Sequence, residues 1–198
     1  IINYYAKTLK QDKTAIAYLK ERCIYSEEAL DFFQMGFVDR SLGMHLPSRR
    51  TVDGRQLRDS LAEIGLYRSS GHEHFRASIV FPIAGDQGNI FEIYGRRITR
   101  NLAKDVPAHL YLPGPHIGIW NRQCFHNKTI ILTESIIDAL SFWVQGFRDV
   151  TASYGIGGFT RELHKAFIDN KIEQVFIAYD CDKAGLKAAT TLAATLGA

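Results

Sequence analysis

Cysteine is scarce in this chain of 198 residues: Cys23, Cys124 and Cys181 are far apart and include no Cys-x-x-Cys pair. An odd number at such spacing argues against a disulfide framework or a zinc site and fits a reducing cytoplasm. Long hydrophobic runs are also missing. No apolar stretch approaches the roughly 20 residues of a membrane span, which argues against a membrane protein. No basic leader precedes a short apolar segment, so a secretory signal is not expected. Internal repeats, low-complexity tracts and long flexible linkers are absent as well. What is there is ordinary globular material, 46% hydrophobic and 23% charged, long enough to bury a core. Charge is uneven along it. Residues 1–128 carry 18 basic and 13 acidic side chains, whereas residues 129–198 carry 6 and 8. A basic first part suits a polyanion, although ordinary surface charge accounts for the totals equally well.

The patterning predicts helices over residues 1–36, with Ala15, Ile16, Tyr18 and Leu19 at helical spacing and Ser26 as an N-cap. Residues 46–54 read as a loop and 56–65 as a short helix. Phe75 to Ile83 reads as a strand, Gly85-Asp86-Gln87-Gly88 as a turn, and Asn89 to Tyr94 as the returning strand. Arg96, Arg97, Arg100 and Lys104 follow as a basic run, then an extended loop from His109 to His116. From Thr129 the pattern becomes β-α-β-α-β-α, with strands at 129–133, 150–154 and 175–179 and helices near 135–146, 160–170 and 183–196. This alternation implies parallel strands with right-handed crossovers. The expected fold class is therefore α/β: an α+β subdomain over residues 1–127, then a Rossmann-like parallel sheet over 128–198. No strand follows the last helix, so the sheet is expected to be incomplete and the chain a piece of a longer protein.

Chemistry concentrates at two strand ends. Ile-Ile-Leu-Thr runs into Glu134, with Asp138 four residues on, and Val-Phe-Ile-Ala-Tyr runs into Asp180-Cys-Asp182-Lys-Ala-Gly185. Open α/β sheets bind ligands beyond the carboxyl ends of their strands, and carboxylates there are hard oxygen ligands for a divalent cation. Each acid also has a structural reading. Asp182 suits the N-cap of the last helix, Asp180 a lysine partner, and Glu134 with Asp138 the positive end of a helix dipole. The basic run reads either as a solvated face or as a phosphate grip. Tyr111 and His109 either stack on a base or ribose or pack beneath the neighbouring prolines.

These phrases, in this order, resemble the DnaG-type bacterial primases and their TOPRIM domain, shared with topoisomerases, some nucleases and recombination proteins. Phe75-Arg76-Ala-Ser-Ile-Val-Phe-Pro-Ile and Tyr94-Gly95-Arg96 resemble the primase phrase running from Arg-Phe-Arg to Phe-Gly-Gly-Arg. His109-Leu-Tyr111-Leu-Pro-Gly-Pro stands in the place of Lys-Tyr-Leu-Asn-Ser-Pro. Glu134 with Asp138, Ser153-Tyr-Gly155 and Asp180-x-Asp182-x-x-Gly185 follow the TOPRIM order.

The resemblance implies short RNA primers made on a single-stranded DNA template from ribonucleoside triphosphates, in the cytoplasm, by metal-dependent nucleotidyl transfer. It implies Glu134 in proton transfer, and Asp180, Asp182 and Asp138 around Mg2+ or Mn2+. Arg76 and Arg96 match basic positions that would hold template or incoming nucleotide, and Arg97, His109 and Tyr111 are further candidates for that contact by their own chemistry. Zinc would belong only to an upstream domain absent here, and a replicative helicase would bind through regions also absent.

The Leu-Pro-Gly-Pro wording resembles that of a divergent primase, such as those on mobile elements, and three departures from the family pattern matter. Ala108 and His109 replace the family's lysine, Ser78 stands where a second arginine is frequent, and no acidic motif follows Asp182. The fragment is accordingly expected to bind template weakly and polymerise poorly. A TOPRIM nuclease or topoisomerase-like strand cleaver and a non-catalytic nucleic-acid-binding module are the competing readings.

Overall fold

Polar caps decide where the helices begin. In the computed structural model, which describes residues 1–85 and 88–197, α1 (Ile2–Gln11) ends at Asp12. The Asp12 carboxylate accepts from the Ala15 N–H at 2.8 Å and opens α2 (Lys13–Glu21). Ser26 does the same for α3 (Glu27–Phe32) through the Ala29 N–H. After β1 (Gly36–Phe37) and the single turn of α4 (Leu42–His45), Thr51 caps α5 (Val52–Glu63) by accepting from the Gly54 N–H at 3.1 Å. Each such cap is worth about 1 kcal/mol. The helix expected from residue 56 thus starts four residues earlier, and Gly54, which reads as a loop residue, lies inside it. Its place there has a steric reason, because a Cβ at Gly54 would stand 2.0 Å from the Ser48 carbonyl oxygen.

The strand expected from Phe75 starts later, as β2 (Ser78–Ala84), because Ala77 has φ +55° and breaks the extended run. Such a φ is costly for a side chain with a Cβ. The returning strand is longer than expected: β3 (Ile90–Arg97) carries both Arg96 and Arg97. Of the turn between them, Asp86 and Gln87 lie outside the described residues; Gly88 adopts φ +76° and donates to the Gly85 carbonyl at 3.0 Å. With β4 (His109–Leu110) these strands form a sheet ordered β1-β2-β3-β4, in which β1 pairs antiparallel with β2 and β3 with β4. Tyr5, Val38, Leu61, Phe75, Val80 and Ile93 lie in its buried core.

A 3-10 turn (Arg122–His126) leads to the second sheet. β5 (Thr129–Thr133), α6 (Ile136–Val144), β6 (Val150–Ala152), α7 (Arg161–Asp169), β7 (Gln174–Ala178) and α8 (Lys183–Leu196) alternate as expected. All strand pairs are parallel and the order is β6-β5-β7. Ile130 and Leu132 on β5 pack with Leu163 and Phe167 of α7 and Leu192 of α8 in one buried cluster. Thr160 and Asp182 cap α7 and α8, accepting from the Leu163 and Gly185 N–H groups. The chain divides into two compact units, Ile1–Pro82 with Glu92–Pro115, and Ile83–Phe91 with His116–Ala198.

Candidate functional site

The strand order β6-β5-β7 makes a topological switch. The first crossover leaves β5 on one side and the second returns the chain to its other side. Ligand crevices in open α/β sheets form where the direction of winding reverses, beyond the strands' carboxyl ends. Here that place is between β5 and β7, whose register pairs Thr133 with Ala178. Glu134 follows directly on β5, and Asp180 stands two residues beyond β7.

Three observations define the acidic centre. The half-buried Glu134 carboxyl is pushed above its ordinary value, first by burial and then by the charges of Asp180, Asp138 and Asp182, while the Asp180 backbone N–H hydrogen-bonds it and pulls the other way. Four carboxyls therefore share one electrostatic neighbourhood. Second, Asp138 accepts from the Ser135 hydroxyl in the first turn of α6. Third, Asp182 uses one oxygen to cap α8 at 2.7 Å from the Gly185 nitrogen. The capping reading of Asp182 and its membership of the acidic group hold together, since a carboxylate has two oxygens and the cap engages one.

Gly185 makes the approach between α8 and Asp180 possible. A Cβ there would lie 2.2 Å from the Asp180 carbonyl oxygen. Beneath the centre, Ser153, only 1% exposed, joins all three strand ends. Its hydroxyl shares a 2.7 Å hydrogen bond with Tyr179 and lies 3.1 Å from the Thr133 carbonyl oxygen. Burial and the nearby Glu134 raise the Tyr179 hydroxyl's pKa, so it stays protonated. Tyr179 reads in the sequence as one more apolar strand residue; its buried hydroxyl is visible only in the fold.

The donor set is all carboxylate oxygen, which suits Mg2+ or Mn2+ rather than a softer ion. Among the described residues, no three His, Cys, Asp or Glu side chains already converge as a ligand cage. Mg2+ characteristically takes one or two carboxylates and completes its shell with water and substrate phosphates, so these acids fit such an ion without enclosing it.

The basic residues fall into two groups within the first unit. Arg96 donates through Nε to the Tyr18 hydroxyl at 3.2 Å and through Nη1 to His109 Nε2. The other ring nitrogen of His109, Nδ1, lies 2.9 Å from the hydroxyl of the buried Tyr94. Tyr94 also has Tyr111 at 5.4 Å between ring centroids. Arg97, next along β3, turns to the opposite face as strand alternation requires. There it is buried close to Arg68, Arg76 and Arg40, and burial and those charges lower its pKa. A run that reads as one basic patch is thus split across two faces of a sheet. Arg100 is drawn off into a surface pair with Glu21 at 2.9 Å.

Both halves of the chain match known families. Residues 4–122 match the family model described as DNA primase catalytic core, N-terminal domain, and residues 131–198 match a Toprim-like model. The chain is 30% identical over 206 residues to the DNA primase of Listeria monocytogenes, an alignment covering 96% of this chain and 31% of that protein. It therefore spans about a third of the length of such curated relatives. The structure of a DNA primase domain from Pseudomonas aeruginosa superimposes with a TM-score of 0.73 at 27% identity, covering 96% of this chain and 62% of that one. A DnaG primase catalytic domain bound to single-stranded DNA gives a TM-score of 0.72 at 24% identity, with 96% and 64% covered.

Proposed function

The chain belongs to the DNA primase catalytic-core family, and from that premise we propose that it supplies the nucleotidyl-transfer centre of an enzyme making short RNA primers on single-stranded DNA. The observation that carries this reading is Glu134, half-buried at the switch point among Asp138, Asp180 and Asp182, with its pKa raised. A carboxylate of raised pKa is suited to take a proton from an attacking 3′-hydroxyl at neutral pH. Asp180 and Asp182, with Asp138 behind them, would hold Mg2+ or Mn2+, which when bound polarises phosphate oxygens and offsets the charge of the departing pyrophosphate. Ser153 and Tyr179 would keep the strand ends in register beneath these acids.

The functional division we propose falls between residues 127 and 128. The matched families lie on either side of that boundary, at 4–122 and 131–198, which supports it. The first part would carry the template and incoming ribonucleoside triphosphates on Arg76, Arg96, Arg97, His109 and Tyr111. Arg96 and His109 are already hydrogen-bonded to each other, an arrangement that would present guanidinium and ring together to a nucleotide. In the same proposal the enzyme works in the cytoplasm, where three free cysteines would stay reduced. A zinc-binding domain and the contact with a replicative helicase would lie outside this chain. The match over residues 4–122 favours nucleotidyl transfer over strand cleavage or bare nucleic-acid binding.

The test supplies single-stranded DNA, labelled ribonucleotides and Mn2+ together and separates RNA products from cut DNA. Short labelled RNA that disappears in Glu134→Gln is the expected result. Cleaved DNA in place of RNA, or DNA binding with no metal uptake by the acids, would overturn the proposal. Mn2+ uptake, read by electron paramagnetic resonance and weakened in Asp180→Asn and Asp182→Asn, checks the centre even where turnover is slow.

A further inference from the structure

A second concentration of unmet charge lies in the first unit. A cavity of about 350 Å3 is lined by Arg40, Arg49, Arg58 and Arg76, together with Tyr67 and Glu73. None of these four arginines forms an ion pair among the described residues. Arg58 donates from Nη2 to the Gly43 carbonyl at 3.0 Å, yet its Nε and Nη1 are buried with no partner. The Tyr67 hydroxyl is likewise buried and unpartnered. The Arg49 guanidinium lies over Gly71, where a Cβ would meet its Nη2 at 3.2 Å.

The acids nearby do not neutralise this set. Glu73 accepts from the Tyr5 hydroxyl at 2.8 Å and from the Leu42 backbone N–H. Its carboxyl is pushed up by burial and by Asp39, with no arginine drawing it down. Asp39 accepts from the Ser41 backbone N–H at 2.9 Å and from the Ser41 hydroxyl. Buried N–H donors left without acceptors are costly, so such a set persists where an external acceptor meets it.

We propose that this cavity is a phosphate-binding subsite that takes the oxygens of a diphosphate or a backbone phosphate on Arg58, Arg49 and Tyr67, with Arg40 and Arg76 also lining it. Guanidinium pairs with phosphate bidentately, and the open donors of Arg58 suit that geometry. The site as proposed uses no divalent ion and none of the four acids, so it is tested independently of the proposed transfer centre. It shares only Arg76 with the proposed template surface. The phosphate has two possible sources, a free nucleotide or a nucleic-acid strand, and competition separates them.

Inorganic pyrophosphate is titrated calorimetrically into the chain at low salt in EDTA. Saturable binding is expected, weakened on the order of tenfold in R49Q and in R58Q. It should be unchanged in R100Q and in D180N/D182N, so failure here and failure of the metal centre are distinguishable. Arg58 is partly enclosed and its variant could lose fold, whereas Arg49 is exposed and keeps the test informative. Displacement of pyrophosphate by ATP assigns a free nucleotide as the source, and displacement by a single-stranded oligonucleotide alone assigns the backbone. Absence of saturable binding, or binding that both R49Q and R58Q leave intact, would overturn the proposal.

Discussion

Replacing Gly185 by alanine sets two physical effects against each other, and the sign of the outcome decides between them. Gly185 lies in the first turn of α8, where alanine is the better helix former by about 1 kcal/mol. Against this, the new Cβ would meet the Asp180 backbone at 2.2 Å from oxygen, 3.0 Å from carbon and 3.2 Å from nitrogen. Carbon and oxygen ordinarily approach no closer than about 3.3 Å, so helix or strand end must recede by about 1 Å. The obstacle is backbone and cannot rotate away. Overpacking of this kind costs about 3 kcal/mol at the upper end of the usual range, which leaves a net loss of about 2 kcal/mol.

Both tryptophans, Trp120 and Trp143, are buried in the second unit, so intrinsic fluorescence during urea unfolding reads that unit selectively. With a slope of about 1–2 kcal/mol per molar urea, the midpoint should fall by about 1 M or more in G185A. Gly157 serves as the control, because a Cβ there meets nothing within 4 Å, and G157A should shift stability by less than about 0.5 kcal/mol. A G185A midpoint equal to or above that of the wild type would refute the steric reasoning and leave helix propensity in command. Displacing Asp180 should also weaken Mn2+ uptake, whereas G157A should not.

Ser153→Ala strands the buried Tyr179 hydroxyl and should cost about 1–3 kcal/mol by the same fluorescence measurement. Tyr179→Phe should cost less, because Ser153 keeps the Thr133 carbonyl. Asp182→Asn separates capping from metal binding: asparagine caps as well as aspartate, so the urea midpoint should hold within about 0.5 kcal/mol while Mn2+ affinity falls. Glu73 supplies a pH signature for the first unit. Its folded pKa is raised above the ordinary 4.5, so the folded state binds more protons than the unfolded state in the window just above that value. Stability contributed by the protonated form is present below pH 4.5 and is lost as pH rises through the folded pKa. Amide hydrogen exchange of first-unit core residues should therefore show the wild type losing stability relative to E73Q across that rise, and parallel curves would contradict it.

The legible parts of the chain were those whose signals are local. A strand buried on both faces is a continuous apolar run, so β5 could be bounded to the residue, and side-chain caps at Ser26, Thr160 and Asp182 announce the helices behind them. The acids at 134, 138, 180 and 182 were legible because strand ends and helix starts bring them together with little help from the rest of the chain. Misreadings had tertiary causes. Gly54 looks like a helix breaker until the Ser48 carbonyl occupies the space of its missing Cβ. β1 is two residues long and has meaning only beside β2. Arg40, Arg49, Arg58 and Arg76 are scattered over 37 positions with no spacing in common, and only the fold gathers them. Tyr94 and Tyr179 have the texture of core residues, and their hydroxyl partners, His109 and Ser153, are 15 and 26 positions away.

One consequence of the β6-β5-β7 order concerns how the molecule behaves in company. β7 is hydrogen-bonded to β5 along one side, and its sequence, Gln-Val-Phe-Ile-Ala, carries no charge. Edge strands in soluble proteins are commonly defended by lysine, proline or a bulge, since an uncharged extended edge recruits further strands. Phe176, 53% exposed at the middle of β7, adds apolar attraction to that backbone invitation. Among the described residues Phe176 thus stands at an uncharged edge of the same strand that delivers Asp180 to the acidic centre, and a gatekeeping charge introduced at Phe176 for solubility would sit four residues before that carboxylate.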